Sequence, residues 1–180
     1  MLHFATHALL SQGDPMSSAL VLSPGAGGPQ DGFLQAREIA RLRLDADLVV
    51  LSACRTARGN ILPGGGVEGL AQAFFQAGAR SVVGTLWNVD DAETAAFMGA
   101  FYRHLGMGQG KAEALRRAKL DRRAVLPPDG PVHWAAFLLL GEPARAVALA
   151  EPGQVEPWWI LALLTALLAG ALALRRKRPA

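Results

Sequence analysis

The chain has a single cysteine in 180 residues, Cys54, and only four histidines. One thiol excludes an internal disulfide framework and any cysteine-rich zinc site. His3 and His7 would share a face if residues 2–7 are extended, but no third ligand lies near them in sequence, so no metal centre is expected. G-x-S-x-G is absent, which leaves a serine-hydrolase elbow without support. The glycine-rich "GMGQGK" (106–111) fails as a phosphate loop: Leu105 stands where the first glycine belongs, and Ala112 replaces the hydroxyl residue that would hold magnesium. It reads as a helix-to-helix turn. "PGGGVEG" (63–69) lacks the lysine and reads as a loop leading into a helix. No cofactor is expected.

A basic folded surface is missing as well. The formal charge is +3, but four of the 18 basic residues are Arg175, Arg176, Lys177 and Arg178, leaving 14 against 15 acidic ones, a net of −1. A nucleic-acid face needs basic residues spread over the fold, so none is expected. The first residues show no basic flank, long apolar run and small-residue cleavage site, so no signal peptide is expected there.

Apolar residues are plentiful at 51%, enough for one domain with a sizeable core. Four aliphatic runs read as strands: Leu2–Thr6, Leu48–Ala53, Ser81–Leu86 and Ala135–Leu140. The middle two are nearly continuous Val and Leu, as in strands buried on both faces of a parallel sheet. "ALVLS" (19–23) reads as an edge strand or hairpin arm. Between the main runs lie helical patterns. In Gly66–Gly78, Val67, Leu70, Ala71, Phe74 and Phe75 form one stripe, and Gly78 can close that helix in a left-handed conformation. Asp90 or Asp91 can cap the next helix, and residues 111–123 make a third, with Ala114, Leu115 and Ala118 inward. Alternating strands and helices predict an α/β fold with a mostly parallel sheet of about four strands between helices.

The C-terminal part differs. Trp158–Leu174 holds 17 residues without a charge, about 26 Å as a helix and near the lower limit for crossing a bilayer. Tryptophans at one end and "RRKR" at the other suit interfacial anchoring. The expected division is a domain over 1–143, a linker over 144–156, a single transmembrane helix over 157–174 and a basic tail over 175–180. Positive residues favour the cytoplasm, which would put the tail there and the domain on the extracytoplasmic side.

Ligand sites in α/β sheets lie at the carboxyl ends of the strands. His7 ends one run and Cys54 another. An imidazole within reach of a thiol can take its proton and later donate one to a leaving amine. Residue types and positions suit a cysteine nucleophile with a histidine base, although a lone buried cysteine is more often inert packing.

Four stretches in this order resemble the C-terminal part of the CHAT domain, the caspase-related module frequent behind tetratricopeptide repeats in bacteria. They are "LHFATHA", "FLQAREIARLRLDADLVVLSACRTARG", "GVEGLAQAFFQAGARSVVGTLWNVDDAETAAFMGAFYRHL" and "HWAAFLLLGEP", roughly residues 2–143. The resemblance implies a caspase-like three-layer sandwich whose N-terminal strands are missing, so that upstream repeat domains or a second chain would complete the sheet. It implies a cysteine endopeptidase acting on a peptide or protein substrate, with Cys54 as nucleophile and His7 as general base and acid. The backbone N–H groups of Cys54 and Ala8 would form the oxyanion hole. These families normally have glycine where Ala8 stands; a left-handed backbone there would cost alanine about 1–2 kcal/mol. Trp87, Asp90, Asp91 and Arg55 are candidates for the substrate pocket, and Arg55, beside the cysteine, could also lower the thiol pKa. The competing expectation is a catalytically silent interaction module or a membrane scaffold subunit. His104, next to Arg103 on a helix, reads as solvated.

Overall fold

The computed structural model describes residues 1–11, 13–24, 31–52, 66–127 and 130–147. Cys54, Arg55 and the expected membrane helix and basic tail lie outside them. Among the described residues no helix is long and apolar enough to cross a membrane.

The elements in chain order are β1 (Leu2–Phe4), β2 (His7–Leu9), β3 (Ala19–Val21), β4 (Phe33–Gln35), α1 (Ala36–Ile39), β5 (Val49–Leu51), α2 (Gly66–Gln76), β6 (Ser81–Thr85), α3 (Asp91–Gly106), α4 (Lys111–Val125), α5 (Pro131–Trp134) and β7 (Phe137–Gly141). The main sheet has the order β1-β5-β6-β7. The first three strands are parallel, with His3 opposite Val50 and Val50 opposite Val83. The fourth, β7, is antiparallel to β6. The α3–α4 pair explains that reversal: two helices joined by a short turn return the chain to the carboxyl end of β6, where a following strand can only run backwards.

Strand alternation divides the core into two layers. Val49, Leu51 and Val82 pack with Leu70 and Phe74 of α2 and with Leu20. Val50 and Val83 pack with Phe97 and Phe101 of α3, Leu115 of α4 and Phe137. Phe97 and Phe137 stack at 3.8 Å between ring centroids. The result is a mixed α/β fold with helices on both faces of a mostly parallel sheet, compatible with a caspase-like architecture.

The expected strand Leu2–Thr6 breaks after Phe4. His7 instead opens β2, which joins β3 and β4 in a separate antiparallel sheet. The run over 19–23 thus supplies a middle strand, not an edge. Gly78 follows α2 at φ +104°, and a Cβ there would collide with the Leu44 carbonyl oxygen. Gly78→Ala combines that collision with a backbone conformation alanine avoids, so a loss of about 2 kcal/mol or more is expected in urea unfolding.

The first residues of the expected linker are seated on the domain. Ala146 bridges Gly110, the Pro143 carbonyl accepts from Ala112 N–H, and Val147 is buried.

Candidate functional site

The parallel strands β1 and β5 end side by side, and the chain leaves each abruptly. After Phe4 it turns through Ala5 and Thr6, whose hydroxyl donates to the Val21 carbonyl and so ties the turn to the second sheet. After Leu51 it reaches Ser52, whose N–H donates to the Phe4 carbonyl at 3.1 Å. The first turns of α3 stand opposite. Between them opens a cleft of about 460 Å³ lined by His3, Thr6, His7, Ser52, Asp91 and Thr94, among others. Its position at strand carboxyl ends, facing the start of a helix, is where α/β sheets place ligands.

His7 is exposed at the start of β2 and lines this cleft. Ala8 is buried, and every positive-φ residue among those described is a glycine. Ala8 therefore bears none of the left-handed cost that alanine would carry at a glycine position. The two aspartates divide their duties. Asp90 is the N-cap of α3, its carboxylate accepting from Ala92 N–H at 2.9 Å and Glu93 N–H at 3.3 Å. Asp91, one residue on, lines the cleft. Trp87 is engaged elsewhere: its indole N–H donates to the Val132 carbonyl at 2.7 Å, and its ring packs against the α3–α4 layer of the core. It is not among the cleft-lining residues.

Sequence reasoning gave His3 no role beyond a rejected zinc pair. In the structure its Nε2 lies 2.6 Å from the Ser52 hydroxyl, and its ring sits 5.5 Å from that of Tyr102. Partial burial lowers the His3 pKa below its ordinary value and favours the neutral ring. Burial pushes the Tyr102 phenol up to about 12. The signal for His3 was present in "LHF": a polar residue between two apolar ones in a strand has a different face from theirs. Among the described residues no group of three His, Cys, Asp or Glu side chains is placed to hold a metal ion.

His104, expected to be solvated, has a side chain only 12% exposed. Its Nε2 pairs with Asp121 of α4 at 2.8 Å, and Arg103 shares the same carboxylate oxygen at 2.9 Å. Hydrogen bonding from His104, followed by Arg103, holds the Asp121 carboxyl below its ordinary range.

The CHAT domain family model matches residues 1–142. Tetratricopeptide repeat protein 28 of Mus musculus is 35% identical over 113 residues, which is 63% of this chain and 5% of that protein. Its Homo sapiens counterpart is 32% identical over 116 residues, 64% of this chain and again 5% of the relative. The chain thus spans about 5% of the length of these curated relatives. Both are mammalian, whereas the resemblance drew on a module frequent in bacteria.

Proposed function

This chain belongs to the CHAT domain family, and on that footing we propose that it is a cysteine endopeptidase module with Cys54 and His7 as its dyad. One observation carries the reading: His7 and Ser52, the latter two residues before Cys54 in the chain, line one open cleft at the ends of parallel strands. His7 takes the Cys54 proton, and the sulfur attacks the scissile carbonyl carbon. The tetrahedral oxyanion is met by the backbone N–H groups of Cys54 and Ala8. Collapse of that intermediate breaks the C–N bond while His7 protonates the departing amine. Water, deprotonated by His7, then releases the acyl group and restores the thiol.

Asp91 supports a preference for a basic side chain at the cleaved position, since its neighbour Asp90 is engaged by the helix cap. Fluorogenic peptides with Arg, Asp or Leu at that position test it. Arg is expected to lead, and Asp91→Asn to lower its kcat/KM about tenfold, as loss of a single charge contact does. Equal cleavage of all three removes Asp91 from the pocket.

The test of the dyad is alkylation of Cys54 by iodoacetamide, expected to be fast in the wild type and slow in His7→Ala. Indifference to His7 leaves the second reading, an interaction module that holds a peptide in the same cleft without cutting it. The name of both relatives, tetratricopeptide repeat protein 28, supports a pairing with repeat domains under either reading. The uncharged run followed by "RRKR" supports a single-pass membrane anchor with a cytoplasmic tail and an extracytoplasmic domain. Retention in the membrane fraction after alkaline carbonate washing tests that part.

A further inference from the structure

The main sheet carries an exposed imidazole on its edge strand, at the rim of the cleft. Leu2 and Phe4 of β1 point into the α1–α2 layer of the core, so alternation sends His3 to the opposite face. Its ladder partner there is Val50, which packs with Val83 and Phe97. Two residues on from Val50, just past the end of β5, comes Ser52, and the His3 Nε2 reaches its hydroxyl at 2.6 Å. The same hydroxyl lies 3.4 Å from the Phe4 carbonyl, which also accepts the Ser52 N–H at 3.1 Å. Tyr102 flanks the imidazole at an interplanar angle of 51°, and its own hydroxyl is buried with no hydrogen-bond partner among the described residues. Tyr102 therefore serves His3 as a wall and not as a competing acceptor.

The pairing that this contact reinforces is short. β1 and β5 match over three residues only, ending at Phe4 opposite Leu51. Beyond that point the described backbone adds the Ser52 N–H bond, and both proposed dyad members lie just downstream in sequence. His7 follows Phe4 by three residues and Cys54 follows Ser52 by two. With both so near the strand ends in sequence, the way those ends sit against each other sets where the chain departs toward each of them.

We propose that His3 is a positioning residue: its bond to Ser52 locks the exit of β5 to β1 and sets the point from which the chain runs to Cys54. The inference rests on the dyad reading for its purpose, but its readout does not require peptide hydrolysis. His3 need not touch substrate. It acts by holding Ser52, and a nucleophile displaced by about 1 Å can lose about a hundredfold in rate.

The experiment measures the rate of Cys54 alkylation by iodoacetamide in the full chain. The proteins are wild type, His3→Ala, His3→Gln, Ser52→Ala, the His3→Ala/Ser52→Ala double variant and His7→Ala. Each of the two alanine singles is expected to slow alkylation about tenfold, because a displaced thiol loses the base that ionises it. The double variant should be no slower than either single, since both break one bond. His3→Gln should recover most of the rate, as its amide can still bond the Ser52 hydroxyl. Thermal melts within a few degrees of wild type separate displacement from unfolding. Ser52→Ala removes a single oxygen and keeps the test open if His3→Ala fails to fold. Wild-type rates in both singles, additive slowing in the double, or no rescue by glutamine would each overturn the positioning role. A rate that depends on His7 but not on His3 or Ser52 removes this inference alone, and a rate indifferent to His7 removes the dyad reading.

Discussion

Lys111→Ala is expected to destabilise the domain by about 2–4 kcal/mol in urea unfolding, and Lys111→Met by clearly less. Lys111 is the first residue of α4 and its side chain is 0% exposed. The ammonium lies 2.8 Å from the Glu142 carboxylate and 3.2 Å from the Asp47 carbonyl. It thereby joins α4 to the approach of β5 and to the exit of β7, at the end of the sheet away from the cleft. Alanine leaves a cavity where the four-carbon stem was and takes the Asp47 carbonyl's donor away. Methionine loses the same charge and donors but fills most of that volume, so the gap between the two variants isolates packing from pairing. Glu142 is not stranded in either case: it still accepts from the Ala144 and Arg145 N–H groups at 2.8 and 3.0 Å. Equal losses in the two variants would show that the stem contributes nothing.

The same pair shapes acid stability. Lys111 is the first cause of a Glu142 carboxyl lowered from 4.5 to about 2, with the Ala144 N–H next. A carboxyl depressed in the folded state stabilises above its unfolded pKa, and that contribution drains away as pH falls through the folded value. The loss therefore runs from about pH 4.5 down to about pH 2. Glu113, lowered to about 2 by Arg116 and then Arg117, adds a loss over the same window. In Lys111→Met the Glu142 share should shrink and the Glu113 share persist, so the acid limb flattens without vanishing.

What could be read from residues alone follows the range of the interactions involved. The central strands declare themselves, because Val49–Leu51 is apolar throughout, Ser81–Thr85 has Val82 and Val83 within it, and both are buried on both faces. So do the long helices, whose caps are local: Asp90 bonds residues two and three ahead of it, and Gly78 closes α2. The second sheet stays hidden, since three-residue strands such as β2 and β4 are too short for alternation to register. The reversal of β7 depends on how α3 and α4 fold back, which no window of sequence contains. His104 looks solvated beside Arg103 until Asp121, 17 positions on, is brought opposite. His3 and Ser52 are 49 positions apart. Each looks unremarkable in its own strand, and only the parallel register joins them. The choice between Asp90 and Asp91 was open in sequence; the cap engages the first and leaves the second facing the cleft.

His7→Ala is expected to lower kcat/KM for peptide cleavage by about 10²–10⁴-fold, the usual contribution of a positioned general base and acid. Cys54→Ser should fall at least as far, because a hydroxyl is a poor substitute for a thiolate. His7 is exposed at the start of β2 and sits in no core cluster, so its removal should leave the thermal melt within a few degrees of wild type. That combination of intact fold and lost turnover distinguishes chemistry from collapse. The double variant His7→Ala/Cys54→Ser should be no worse than the poorer single, since a base with no thiol to deprotonate has nothing left to contribute. Independent, multiplying losses would instead mean that the two residues act on different steps. If wild type and His7→Ala turn over alike, His7 is a wall of the cleft and not its base. A wild type that binds the peptides without cutting them would make the cleft a docking groove, with His7 and Asp91 as its polar lining.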